Sequence, residues 1–134
     1  LNYIGYTLAE RGQDLDKAEQ MIRAALAQRP DDGYIVDSLG WVYYVRARQL
    51  LDAGQTSAGR AALERAIKEL ERAAVLTGGD PVISEHLGDA HLLRSDRKSA
   101  LRHYEDAASR DPRQGEQPHL LEKVERLRKE LGSR

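Results

Sequence analysis

One pattern of glycine and alanine occurs three times along this chain, and it constrains the fold more than any other feature. Each copy places a glycine in an apolar-periodic segment and follows it with a second segment rich in alanine. A repeat of this kind predicts an all-α fold, an antiparallel helix-hairpin solenoid in which each hairpin contacts only its neighbours. The glycines are Gly5, Gly40 and Gly88, and the second segments keep one internal spacing in Ala18-Ile22-Ala25-Pro30, Ala66-Leu70-Ala73-Gly78 and Ala100-Tyr104-Ala107-Pro112.

The second copy is longer than the others by 14 residues. The first two glycines are 35 residues apart and the next two are 48 apart, and the extra residues lie between Gly40 and Ala66. Apolar residues continue at helical spacing as far as Leu51, and the break falls at Ala53-Gly54-Gln55. We therefore expect about two additional turns on each helix, which would project each one about 10 Å further. A 14-residue loop is the alternative.

The period and the recurring small residues resemble those of tetratricopeptide-repeat (TPR) proteins, whose repeat is 34 residues long. The resemblance implies about seven helices in a single TPR-like domain over residues 1–134. In such a domain Gly and Ala let neighbouring helices approach closely. The segments LNYIGYTLAERG and PDDGYIVDSLGWVYY also resemble TPR segments of large bacterial proteins, including outer-membrane lipoprotein adaptors. The expected parts are repeat one at 1–31, repeat two at 32–80 with its extension around 47–60, repeat three at 81–114, and a capping helix at 118–132.

The bulk composition fits amphipathic helices with wet outer faces, since 32% of the 134 residues are charged and 40% are hydrophobic. A net charge of −1 gives no electrostatic argument for nucleic acid or an anionic membrane. No apolar run approaches the roughly 18 residues of a membrane-spanning helix. Leu1 matches the fourth position of a TPR helix rather than the first, so we expect the sequence to be part of a larger bacterial protein. We expect this part to be soluble and either cytoplasmic or periplasmic. The number of repeats that precede it is left open.

In TPR proteins the first helix of each repeat presents its side chains to a concave groove. Carried over to this chain, that face holds four aromatic side chains and four carboxylates, and no Lys or Arg. Such a face implies a protein or peptide partner with an apolar segment that can carry Arg or Lys, because Tyr and Trp are enriched among interface hot spots. The residues expected to bind the partner are Asn2, Tyr6, Tyr34, Asp37, Trp41, Tyr44, Glu85 and Asp89.

Burial inside the fold is the competing interpretation for these aromatic side chains. Tyr43 is expected to point into its hairpin, whereas exposure in the groove is favoured for Trp41 and Tyr44. Capture of an acidic C-terminal tail is rejected, because it needs several Lys, Arg and Asn side chains and Asn2 alone fits. The mixed charges along 60–72 are expected to form a solvated helix face.

Metal, cofactor and catalytic interpretations are not favoured by the residue pattern. His86 and His91 are five residues apart and do not share a helix face as an i,i+4 ligand pair would. His91 falls at an interior position of the repeat and is expected in the core. Cysteine is absent, which excludes thiolate metal sites. We expect no cofactor, no metal site and no enzymatic activity.

The predicted function is a non-catalytic protein–protein interaction scaffold or adaptor that binds a partner polypeptide in its groove. The extended second hairpin is a second candidate contact. The alternative is a structural segment of a larger protein, with the groove filled by its own chain or by self-association. The last helix is expected to cap the array, although it could instead be the first helix of a further repeat.

Overall fold

A computed structural model describes residues 2–110 and 118–132, and every regular element in those two ranges is an α-helix. The predicted fold class, an all-α repeat of helical hairpins, is confirmed. The seven helices of the described residues are α1 (Asn2–Glu10), α2 (Leu15–Gln28), α3 (Gly33–Asp52), α4 (Thr56–Thr77), α5 (Pro81–Leu93), α6 (Arg97–Arg110) and α7 (Pro118–Gly132).

Aspartate side chains cap three of these helices at their N-terminal ends. The Asp32 carboxylate accepts hydrogen bonds from two backbone N–H groups at the start of α3, and Asp80 does the same for α5. Asp96 accepts one from the backbone N–H of Ser99 in α6, at 3.1 Å. Such bonds satisfy N–H groups that lack a partner inside the helix.

Two helices begin without a side-chain cap. Asp14 precedes α2 but has a left-handed backbone, with φ of 47°, and its side chain makes no capping bond. The residue before α4 is Gln55, whose side chain does not cap either.

The chain divides into two compact units, residues 1–78 and 79–134. In unit 1, α3 packs against α1, α2 and α4, so it is the central helix of that unit. In unit 2, α6 packs against both α5 and α7. The assignment of three repeats and a cap to one domain stays a prediction.

The seam of each hairpin is built from the glycines of the repeated pattern. Gly5 faces Ile22, Gly40 faces Leu70 and Gly88 faces Tyr104, each of which is four residues after the matching alanine. A Cβ added to Gly5 or Gly40 would lie 2.8 Å from the facing side chain, and one added to Gly88 would lie closer still. The helices approach too closely for any side chain there, which explains the glycine.

The insertion of repeat two is helical, as favoured over the loop. Its two helices reach 20 and 22 residues, and Gly59 of α4 lies against Leu51 of α3. The extended α3 also contacts the turn between α1 and α2, because Gln49 Nε2 donates to the carbonyl oxygen of Gly12 at 3.0 Å. The extended end of α3 therefore does not project freely, because it packs against the turn between α1 and α2.

Tyr43 is buried in its hairpin, as predicted, and its hydroxyl joins three helices. It donates to Glu19 of α2 at 3.2 Å and accepts from Arg65 of α4 at 2.9 Å, and Arg23 of α2 also donates to it. The Arg65 guanidinium lies 4.3 Å from the Tyr43 ring centroid.

Most charged side chains of the stretch 60–72 are exposed, but two of them also bond to other parts of unit 1. Besides the bond from Arg65 to Tyr43, Arg72 Nη2 donates to the carbonyl oxygen of Pro30 at 3.0 Å. The expectation of a simple solvated face is incomplete, because two of its arginines bond to other helices or turns.

Candidate partner-binding face

In unit 1 the aromatic part of the predicted face is a stacked pair. The rings of Trp41 and Tyr44 have centroids 4.5 Å apart and planes inclined by 19°. Tyr44 is only 7% exposed, and the Arg48 guanidinium lies 5.7 Å from its ring centroid. The exposure expected for Tyr44 is therefore not observed, because Trp41 stacks on it and α3 is packed on several sides. Trp41 is half-buried and presents the accessible part of the pair.

The other predicted residues of unit 1 differ widely in accessibility. Tyr34 stands in the first turn of α3 and is 58% exposed, whereas Tyr6 of α1 is half-buried. Asp37 is buried, so its carboxylate is not available at the surface as expected. Asn2 belongs to α1, and its side chain lies outside the described residues. Of these predicted aromatic residues, Tyr34 is the exposed one, whereas Trp41 and Tyr6 are half-buried.

A cleft of about 250 Å³ lies beside Trp41. Its walls come from the end of α1, the following turn and the extended half of α3. Sequence reasoning placed Trp41 on this face but missed the lining residues of the extended part of α3, which has no counterpart in the TPR pattern. The cleft is lined by Glu10, Arg11, Gly12, Trp41, Val45, Arg48, Gln49 and Asp52.

Gln49 and Gly12, which are joined by a hydrogen bond, line both this cleft and a second cleft. The second cleft has a volume of about 350 Å³, and in its wall Arg46 binds Asp16 at 2.9 Å and Glu19 at 2.8 Å. Burial would raise the pKa of Glu19, but its hydrogen bonds and charge interactions with Arg46 and Arg23 outweigh this and lower it.

In unit 2 the two predicted carboxylates already hold a cation. Lys123 Nζ of α7 lies 2.7 Å from Glu85 Oε2 and 2.9 Å from Asp89 Oδ1, both on α5. The Tyr104 hydroxyl donates to the same Asp89 carboxylate. Burial would lower the pKa of Lys123, but the two carboxylates outweigh it and raise the pKa above its usual value.

Lys123 is the residue of this cluster that sequence reasoning missed. It follows Leu120 by three residues and precedes Leu127 by four, so it lies on the same side of α7 as the apolar stripe. A lysine at that position of α7 could have indicated ion pairs with Glu85 and Asp89, which are spaced i,i+4 on α5. This prediction would have required the register between α7 and α5.

Two of the four histidines of unit 2, His91 and His103, are stacked on each other. His91 is buried, as predicted, and its ring lies 5.0 Å from that of His103 with the planes inclined by 14°. Its Nδ1 accepts a hydrogen bond from Arg94 at 3.0 Å. Burial, with the charges of His103 and Arg94, lowers the pKa of His91 to about 4. Over residues 2–110 and 118–132, no group of three or more His, Asp or Glu side chains could hold a metal ion.

The helices of the described ranges include none with both the length and the apolarity needed to cross a bilayer.

Comparison with known proteins identifies one curated relative and no family. No family profile matches the chain. Over 53 residues, which are 40% of this chain, it is 45% identical to the TPR repeat-containing protein PA4667 of Pseudomonas aeruginosa. The matched stretch is 9% of that protein's length. Together with the all-helical hairpin repeat, this likeness makes the chain similar to TPR proteins in sequence and in fold class.

Proposed function

We propose that this chain is a non-catalytic protein-interaction module, a scaffold or adaptor that binds a partner polypeptide on the α3 face of unit 1. The observation that carries the proposal is the half-buried Trp41, stacked on the buried Tyr44 beside a 250 Å³ cleft. A tryptophan held rigidly by a neighbouring ring provides a large contact area at little cost in side-chain entropy.

The cleft wall is more polar than apolar, which suits a partner that presents an apolar side chain among charged ones. Trp41 and Val45 supply the apolar wall, while Glu10, Asp52 and Arg11 supply charges of both signs at the ends of α1 and α3. An apolar centre with a polar rim is the usual composition of a protein interface. A basic residue of the partner can pair with Glu10 or Asp52, both of which are exposed.

The TPR-named relative supports an interaction function, because TPR proteins are generally non-catalytic scaffolds. The proposal that the chain lacks catalytic activity rests on that likeness. The relative's own partners are not transferred, since the match covers a small part of it.

Occupation of the predicted binding residues of unit 2 by the chain itself is the second candidate function. It is favoured by Lys123, which occupies Glu85 and Asp89 from within the same chain. The corresponding possibility of self-association predicts a mass that rises with protein concentration in sedimentation or light-scattering measurements. A mass that stays monomeric would leave the adaptor function as the proposal.

Replacement of Trp41 by alanine is expected to weaken partner binding by roughly 2 kcal/mol, the cost typical of a hot-spot residue. The measurement is quantitative capture of partners from a lysate of the source organism, with wild type and Trp41→Ala as baits. The single substitution is preferred to a double one with Tyr44, because Tyr44 is buried and its removal would disturb the fold.

The matched control is Val75→Ala, since Val75 is 81% exposed on α4. Helicity of both variants, measured by circular dichroism, should equal that of wild type. A partner captured equally by Trp41→Ala and wild type would contradict binding at this face and would direct attention to the extended hairpin. Loss of helicity in Trp41→Ala would instead show that the ring belongs to the core.

A further inference from the structure

The cleft beside Trp41 is lined by charged side chains that form no ion pairs within the described part of the chain. The neighbouring cleft differs, because Arg46 in its wall is paired with Asp16 and Glu19. The charges of the first cleft are therefore available to a ligand, whereas the guanidinium of the second is already neutralised. The charged lining residues of the first cleft are Glu10, Arg11, Arg48 and Asp52.

Arg48 is the charge that a neighbouring side chain holds in place. Its guanidinium lies 5.7 Å from the ring centroid of the buried Tyr44, on which Trp41 is stacked. A guanidinium attracted to an aromatic ring keeps its N–H donors for other acceptors. Asp52 lies one turn later on α3 but does not pair with Arg48, and the order of cation before carboxylate is the weaker one at this spacing.

Arg11 supplies a second guanidinium at the same level of the cleft. The next residue, Gly12, lies against α3, since a Cβ added to it would be 3.9 Å from Val45 and 2.9 Å from Gln49. Those two residues precede and follow Arg48 on α3. The turn after α1 therefore passes α3 at the level of Arg48, and one carboxylate of a ligand can reach both arginines.

The apolar wall of the cleft lies before Arg48 on α3. Val45 and Trp41 precede Arg48 by three and seven residues, which are about 4.5 Å and 10 Å along the helix axis. In an extended segment, residues two positions apart point to the same side and are about 6.6 Å apart. An extended segment with an apolar residue against this wall therefore places its next residue on that side near Arg48.

We propose that the cleft beside Trp41 binds an extended partner segment in which an acidic residue stands two positions from an apolar one. The apolar side chain lies against Trp41 and Val45, and the carboxylate pairs with Arg48 and Arg11. The inference rests on the proposed interaction function and names the partner chemistry of that site. The face predicted from the sequence held no Lys or Arg, but the structure brings two arginines to it, so the partner needs an acidic residue beside its anchor.

The first test is a selection from a displayed library of random peptides, with the full wild-type chain as bait. We expect enrichment of peptides that carry Asp or Glu two positions from an apolar or aromatic residue. With Arg48→Gln as bait, the apolar preference should remain and the acidic one should be lost. Apolar peptides selected on wild type without an acidic residue would overturn this inference and leave the proposed function standing. Failure to enrich any sequence would overturn both.

The second test measures the ion pair directly with one selected peptide, labelled and capped at both ends so that its carboxylate is a side chain. By fluorescence anisotropy, replacing its acidic residue with Gln should weaken binding to wild type about fivefold, a usual size for an exposed ion pair. The same replacement should have no effect on binding to Arg48→Gln. An equal loss with both proteins would exclude the pairing with Arg48.

Two further variants serve as controls for the site. Arg126→Gln removes the same charge from an exposed position of α7 and should bind both peptides as wild type does. Trp41→Ala should weaken both peptides alike, because it removes the apolar wall and leaves the arginines in place. Unchanged binding to Trp41→Ala would show that the peptides bind elsewhere and would overturn the proposal.

Discussion

Leucine in place of Gly40 is expected to destabilise unit 1 by about 3 kcal/mol, the upper part of the usual range for overpacking a core. The first added carbon would lie 2.8 Å and 2.9 Å from two side-chain carbons of Leu70 and 3.2 Å from its backbone nitrogen. Leu70 is completely buried, so it has no space into which to move. The helices α3 and α4 would have to separate along the seam.

Urea unfolding followed by tryptophan fluorescence measures this effect within unit 1, because Trp41 is the one tryptophan of the chain and lies on α3. Gly132→Leu is the matched control, since a Cβ added there meets nothing within 4 Å, and its effect should stay within about 0.5 kcal/mol. A Gly40→Leu protein as stable as wild type would show that the hairpin register described above is incorrect.

Acidification from pH 7 to pH 4 is expected to remove about 3 kcal/mol of stability through His91 alone. The pKa of this histidine is about 4 in the folded protein, against 6.5 for an ordinary histidine. Between those values the unfolded chain binds a proton that the folded chain excludes, so the free energy of unfolding falls as the pH falls. The stabilisation is complete above about pH 6.5 and is lost progressively towards pH 4.

The measurement is urea unfolding by circular dichroism at several pH values, for wild type and His91→Leu. Carboxylates with lowered pKa values, such as Glu19, also lose stabilisation in acid, so the difference between the two proteins isolates the histidine. The variant should show a markedly smaller loss between pH 6.5 and pH 4. An identical pH dependence in both proteins would mean that His91 is protonated without cost in the folded state.

The candidate site was predictable only in part. The positions of Trp41 and Tyr34 on α3 followed from the repeated pattern, and Trp41 is half-buried there. The burial of Tyr44 and Asp37 was not predictable, because it depends on how many helices surround α3. The ion pairs of Lys123 were not predicted, because the repeat pattern ends before α7. Lys123 and Glu85 are also 38 residues apart in the sequence.

By itself the sequence determined the helical hairpins, their boundaries and the glycine seams. These depend on residues close together in the chain, through aspartate caps, helix-breaking turns and the 3.6-residue period of apolar side chains. The tertiary structure alone decided which polar groups meet: Tyr43 with Arg65, Gln49 with Gly12, and Lys123 with Asp89. Those pairs join segments that are distant in the sequence, and they form only at one register and rotation of the packed helices. A shift of one residue along either helix would separate the paired groups.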